Sequence, residues 1–308
     1  MKAVLLTGHG GPEMLRLGDA PDPVAGPREI VVDIHAASVN AADHKVRLGT
    51  GRPGGLRFPH ILGRDFSGVV SALGTDVTDL AIGDAVFGVT EQGEEGAYAE
   101  KIAVKAAIVA RKPGGLGHVE AAALALTGIT ALWALEDTAR LAAGETILIQ
   151  GGAGGVAGFA IQLAKHLGAT VITTASAGNR DYVRALGADR VIDYRVEDFS
   201  ATARDCDVVF DTVGGEVQAR SYAVLKPGGR LVWIAAGPDG YKPTRSDVRT
   251  MRPNVARDRA HLERIVALFE QGAVRPPEIA CFTLAEAGDA HRISEGRHFR
   301  GKLVFKVR

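Results

Sequence analysis

Residues 145–180 read ETILIQGGAGGVAGFAIQLAKHLGATVITTASAGNR. Within that stretch Gly152-Ala-Gly154-Gly155-Val-Ala157 fits the pattern G-x-G-x-x-G/A. In a chain with 39 glycines the pattern alone carries little weight. Here it follows a strand-like run, TILIQ, and opens a helix-like run, GVAGFAIQLAKHLG, which is the context that dinucleotide binding requires. In this reading Gly152 permits a tight turn and Gly154 lets the backbone approach a pyrophosphate. Ala157 is small enough for close helix–strand packing, and the helix N-terminus offers amides and positive dipole to the phosphates.

The same stretch lacks an expected group. An Asp or Glu at the end of the second strand normally holds the ribose 2′-hydroxyl of NAD, yet no acid occurs between Thr146 and Arg180. Thr173, Thr174, Ser176, Asn179 and Arg180 stand there instead. A missing carboxylate beside a guanidinium suits a 2′-phosphate, so NADPH is expected over NADH. The plainer alternative for Arg180 is a solvated residue at a helix start.

Metal chemistry has little to work with. The two cysteines, Cys206 and Cys281, are far apart in apolar runs, which predicts two buried thiols and excludes a four-thiolate zinc site. His35, His44 and His60 with Asp43 and Asp65 are the remaining conceivable ligand set, and scattered loop histidines are the better account of them. Hydride transfer without a metal needs an acceptor that is already electrophilic, such as a quinone or conjugated enone.

Around these residues the pattern changes once. MKAVLLTG, REIVVDIHAASV, DFSGVVSALG and AVFGV are short β-like runs separated by Gly, Pro and Asp, with a short helix expected at AADHKVRLG. From HVEAAALALTGITALWAL onward, helices and strands alternate, which predicts a doubly wound parallel sheet. The tail GKLVFKV is a strand that this sheet does not require and is expected to return to the first domain. The expected fold is α/β: a Rossmann domain over 121–256 and a β-barrel-like domain over 1–120 with 257–308. Lys plus Arg and Asp plus Glu both number 36, so no net charge steers the chain to nucleic acid or anionic membrane. The Arg-rich stretch from Arg245 to Arg264 is interleaved with acids and reads as a solvated face. No run reads as a membrane span or signal peptide, so a cytoplasmic protein is expected.

Taken together, ASVNAADHKVRLG, FPHILGRDFSGVV, IGDAVFGV, GAYAEKIAV, LALTGITALWAL, IQGGAGGVAGFAIQLAKHLGA, LGADRVIDY, VFDTVGG, LKPGGRLVWI and HFRGKLVFKV resemble the zinc-independent quinone oxidoreductase branch of the medium-chain dehydrogenase/reductases. The resemblance spans essentially the whole chain. It implies a GroES-like catalytic domain built from both chain ends, a Rossmann domain, an interdomain cleft for NADPH and substrate, and a homodimer. It sets Asn40 where zinc-dependent relatives carry a cysteine, and Arg64-Asp65 where they carry a His-Glu pair.

The resemblance further implies that Gly154, Gly155 and Val156 cradle the pyrophosphate. Ser176, Asn179, Arg180 and Tyr194 would surround the adenosine phosphate, Thr127 would approach the nicotinamide, and His298, Phe299 and Arg300 would close over the cofactor. Asn40 and Asp43 would face the substrate, with Asn40 donating to an oxyanion. Plainer uses exist for three of them: Tyr194 packing at a strand end, Thr127 satisfying helix backbone and Asp43 capping the short helix. The loop LGTGRPGGLRFP lacks the tyrosine that enoyl-thioester reductases place there. His44, Tyr98 and Tyr241 remain as proton-donor candidates, beside solvent. The expected activity is NADPH-dependent reduction of a quinone. Reduction of α,β-unsaturated carbonyls is the alternative, and a non-catalytic NADPH- or nucleic-acid-binding role a second one.

Overall fold

The structure, a computed structural model, describes residues 1–50, 55–243 and 245–308. The chain divides into two compact units. One comprises Met1–Leu126, Ala256–Glu270 and Pro276–Arg308, the other Thr127–Val255 and Gln271–Arg275.

The first unit is β-rich. Its longest strand, Glu29–Val39, is buried at all but three positions, and it pairs antiparallel with Asp65–Leu73, Lys101–Lys105 and the C-terminal strand Lys302–Lys306. Ile279–Phe282 then pairs in parallel with Lys302–Lys306 and forms the sheet edge. Val4, Ile30, Ile34, Phe66, Tyr98 and Phe305 lie in one apolar core. The short helix Ala41–Arg47 starts with a capping box in which Asn40 and Asp43 each accept the other's backbone N–H. A second helix, Ala287–Gly296, follows Thr283 and Glu286, which form another capping box.

The second unit is a six-stranded parallel sheet in the order Arg190–Asp193, Thr170–Ala175, Thr146–Ile149, Cys206–Asp211, Leu225–Trp233 and Arg249–Met251. The order reverses between Thr146–Ile149 and Cys206–Asp211, the Rossmann pattern, which places a ligand beyond the carboxyl ends of those strands. The helix Gly155–His166 is buried along most of its length and stops before Gly168, whose φ of +83° suits glycine.

Two expectations need correction. The apolar helical run His118–Thr138 is long and apolar enough to cross a membrane, but its most apolar stretch is 78% buried inside the protein, as in a core helix. Cys206 is buried, whereas Cys281 is exposed, on a strand that forms the edge of its sheet.

Candidate functional site

In the α/β unit, the turn after Thr146–Ile149 is built by three glycines with separate jobs. Gly151, at φ +72°, takes the left-handed conformation. A Cβ on Gly152 would lie 2.3 Å from Thr173 Oγ1 and 3.1 Å from Ile161, so this glycine permits close packing. The tight turn expected at Gly152 is thus made one residue earlier. A Cβ on Gly154 would meet only Gly151 O, at 3.4 Å, and that open side is what a pyrophosphate needs. The first bond of the following helix runs from Gly158 N–H to Gly154 O at 2.7 Å. The amides of Gly155, Val156 and Ala157 therefore have no acceptor within the helix, and Gly154 supplies no side-chain cap. An anion is the natural partner for such a terminus, and the residues present fit a dinucleotide phosphate.

Thr173 and Thr174 serve the turn itself. Thr173 donates to Ile149 O at 2.7 Å, and Thr174 accepts from Gly151 N–H at 3.0 Å. Beyond the strand, Asn179 donates to Ser176 Oγ at 3.3 Å. The register pairs Ala175 with Asp193, bringing Ser176 and Tyr194 to neighbouring strand ends. Tyr194 is 49% exposed, so it does not pack at its strand end. Arg180 makes no ion pair among the described residues. Ser176, Asn179, Arg180 and Tyr194 thus gather around the end of Thr170–Ala175, where an NAD-type acid is missing. Thr127 is buried in the helix His118–Leu132, at the residue where the second unit begins.

The β-rich unit holds a buried charged cluster. Asn40 Nδ2 donates to Asp65 Oδ1 at 2.8 Å, while Asn40 Oδ1 accepts from Lys302 Nζ at 2.5 Å. Turning the amide over would set NH2 against ammonium and oxygen against carboxylate, so its orientation is fixed. Lys302 is fully buried, donates also to Val39 O at 2.7 Å, and lies 4.0 Å from Asp65 Oδ2, which accepts from Ser38 Oγ at 2.7 Å. Burial lowers the Lys302 pKa against the opposing pull of Asp65 and Asp43.

Asp43 is fully buried and accepts from Asn40 N–H at 2.8 Å and Tyr98 O–H at 2.7 Å, with Arg64 Nε at 3.6 Å. Burial raises its carboxyl to about 6, although Arg64 and the two hydrogen bonds favour the anion. Arg64 also reaches Glu95 at 3.2 Å, and Glu95 binds His60 at 2.6 Å.

These contacts revise both residues assigned to catalysis. The Asn40 amide, expected to meet an oxyanion, is already paired at both ends, and its second N–H is 3.4 Å from Ser38 O. Asp43 caps the short helix and anchors Tyr98, with no exposed surface to offer a substrate. The proton-donor candidates fare no better. Tyr98 is fully buried and its pKa is raised by burial and Asp43, while burial and neighbouring cations lower His44 to about 4. Tyr241 lies in the other unit, with its hydroxyl 3.5 Å from Ala219 O. Residues 51–54 of the tyrosine-free loop lie outside the described residues.

The C-terminal segment is anchored in the β-rich unit. Phe299 packs against its core and Arg300 pairs with Glu278 at 3.0 Å, while His298 is exposed. Sequence reasoning missed Lys302, whose only signal is a lysine directly before the apolar run Leu303–Phe305. It also missed Arg47, fully buried and paired with Glu295 and His291. Between them, Lys302 and Arg47 tie the C-terminal segment to the start of the chain.

Residues 26–114 match the model of the alcohol dehydrogenase GroES-like domain, and residues 186–305 that of a zinc-binding dehydrogenase family. The second description implies a metal, but the residues do not fit zinc. At the positions set by the resemblance stand an amide, a guanidinium and one carboxylate, with the Lys302 ammonium between amide and carboxylate, in place of thiolate and imidazole donors. Nor do His35, His44, His60, Asp43 and Asp65 converge: His60 binds Glu95, and His35 stacks on His118 at 4.4 Å.

The chain is 33% identical to a quinone oxidoreductase of Pseudomonas aeruginosa over 98% of both chains. It is 35% identical to 2-methylene-furan-3-one reductase of Solanum lycopersicum, over 99% of this chain and 78% of that protein. It also matches, at 34% identity, polyketide synthases of Mycobacterium tuberculosis and Streptomyces venezuelae, of whose length it spans 14% and 8%. Among solved structures, the quinone oxidoreductase of Coxiella burnetii superposes with a TM-score of 0.92 at 37% identity, covering 100% and 99% of the two chains. That of Escherichia coli, complexed with NADPH, gives 0.89 at 28% identity over 99% and 100%. The chain belongs to the medium-chain dehydrogenase/reductase superfamily, in its quinone oxidoreductase branch.

Proposed function

We propose that the protein is an NADPH-dependent reductase whose acceptor is a quinone. The observation that carries this is the glycine turn with its open amides, beside a strand end that presents Ser176, Asn179, Arg180 and Tyr194 and no acid. Gly154, Gly155 and Val156 hold the pyrophosphate, and Gly152 keeps the turn pressed onto its neighbouring strand. Arg180 and Asn179 take the 2′-phosphate. Thr127, His298, Phe299 and Arg300 are assigned to the rest of the cofactor through the resemblance. Bound NADPH supplies the hydride.

The chain contributes positioning more than acid–base chemistry. Lys302 and Asp65 hold Asn40 rigid, and Asp43 fixes the helix that follows it. Tyr98 and His44 are buried, and protonation of the reduced product is assigned to solvent. The likeness to 2-methylene-furan-3-one reductase favours a conjugated enone as the second reading. A nucleic-acid role finds no support in the arginines after residue 244. Arg245 binds Asp247, Tyr222 O and Leu225 O, and Arg259 binds Asp79 and Val109 O. Cytoplasmic location and a homodimer belong to the same proposal, with Arg249–Met251 as the free sheet edge for pairing.

The test follows loss of reduced-nicotinamide absorbance under anaerobic conditions, with a small quinone against a matched enal and NADPH against NADH. Faster turnover with quinone and NADPH supports the leading reading. Preference for the enal selects the second, and preference for NADH overturns the cofactor assignment.

A further inference from the structure

Beneath the glycine turn runs a chain of buried neutral hydrogen bonds. Gly151 N–H donates to Thr174 Oγ1 at 3.0 Å, and Thr174 O–H donates to Gln150 Oε1 at 2.8 Å. Gln150 Nε2 donates to Ser221 Oγ at 3.1 Å, and Ser221 O–H donates to Val217 O at 2.7 Å. Gln150, Thr174 and Ser221 are 1%, 4% and 0% exposed. Each hydroxyl accepts once and donates once, so all the bonds point the same way. Reversing the Gln150 amide would strand the Thr174 proton, and this fixes the direction. Such a chain is cooperative, because each bond polarises the next.

The chain runs from one turn at the carboxyl end of its strand to the helix that follows the corresponding turn of the adjacent strand. One is the glycine turn. The other, Thr212–Gly215, follows Cys206–Asp211 and leads into the helix Glu216–Ser221. Two further contacts clasp the two turns, and Asp211 braces the second from within. Thr212 Oγ1 donates to Gln150 O at 2.8 Å, and a Cβ on Gly151 would come 3.0 Å from Val213 Cγ2. Asp211 Oδ1 accepts from Val213 and Gly214 N–H at 2.9 and 3.0 Å. The strand order reverses between these two strands, so a dinucleotide lying across their ends touches both turns.

We propose that Thr174, Gln150 and Ser221 are positioning residues that lock the pyrophosphate turn and the Thr212–Gly215 turn in one register, so that occupancy of the first sets the second. The proposal rests on the nicotinamide-dinucleotide reading above. Its test is calorimetric titration of the full chain with NADPH, and with NADH in parallel. Thr174→Val, Ser221→Ala, their double variant and Thr174→Ser are compared, with thermal midpoints recorded for each.

Thr174→Val is expected to raise Kd about tenfold and the distant Ser221→Ala about threefold, with Thr174→Ser close to wild type. Because both act through Gln150, the double variant is expected near the Thr174→Val value, well short of the ~30-fold product. Single variants that melt earlier yet bind with wild-type affinity overturn the proposal, as does a double variant at the full product. A wild-type chain that binds neither nucleotide removes the dinucleotide reading, and the proposal with it. Binding by wild type with unaffected variants removes the proposal alone.

Discussion

The two units bury polar groups in opposite ways. Below Asn40 the β-rich unit encloses whole charges: Lys302, Asp65, Asp43 and Arg47 are each at most 4% exposed. Below its glycine turn the α/β unit encloses hydroxyls and one carboxamide, with a buried acid, Asp211, held by backbone N–H groups in the neighbouring turn. Desolvating an ion costs several kcal/mol and is recovered only while every partner is in place, whereas a neutral hydrogen bond contributes about 1 kcal/mol net. The first arrangement therefore fails abruptly when one member is lost; the second loses stability in smaller steps.

The largest expected effect tests that contrast directly. Lys302→Met should lose about 3–5 kcal/mol in urea unfolding, since Asp65 and Asn40 Oδ1 keep their burial and lose their cation. Thr174→Val, nearly isosteric, should lose about 1 kcal/mol. Equal losses would erase the distinction between the units.

Acid should find the β-rich unit next. Burial, helped by Arg47 and His44, lowers His291 to about 3, so between pH 6.5 and 3 the unfolded chain binds the proton and the folded chain does not. Stability from this group is complete above pH 6.5 and falls as pH drops, by about 3 kcal/mol at pH 4. Asp43, raised to about 6, has the opposite sign: the folded chain holds the proton between pH 4 and 6, and this contribution is lost as pH rises through that window. His291→Gln should thus gain on wild type as pH falls from 6.5 to 4. Parallel stability curves would show that His291 is not a buried neutral imidazole.

Within the α/β unit, two neighbouring glycines should separate packing from binding. Gly152→Ala pushes a methyl onto Thr173 Oγ1 and should cost about 1–3 kcal/mol of stability. Gly154→Ala has open space and should leave stability within about 0.5 kcal/mol while raising the nucleotide Kd at least about tenfold. Loss of stability without loss of affinity at Gly154 would move the phosphate elsewhere.

The α/β unit was the more legible from sequence, because its signals are local. The glycine turn, the strands on either side of it and the helix stop at Gly168 all come from spacing within a few residues. The cluster below Asn40 joins residues 38, 40, 65 and 302, which no local pattern connects. Asn40 and Asp43 were picked out by position in a motif, but the motif does not say that their polar atoms face inward. Likewise, Thr283 and Glu286 carry a capping-box spacing that marks the helix Ala287–Gly296, while the pairing of Glu295 with Arg47 becomes visible only once the sheet brings the chain ends together.

The place of Lys302–Lys306 bears on how the molecule is made. This strand sits inside its sheet, between Ile279–Phe282 and Glu29–Val39, and it is synthesised after every other strand of either unit. On the ribosome, the α/β unit has all its own strands well before the β-rich unit can insert its last one and neutralise Asp65 with Lys302. During that interval Glu29–Val39 has an unpaired edge and a buried-charge site without its cation, which is the kind of half-built sheet that invites misassociation. Nascent chains arrested before residue 302 should accordingly protect the α/β unit from protease and leave the β-rich unit open.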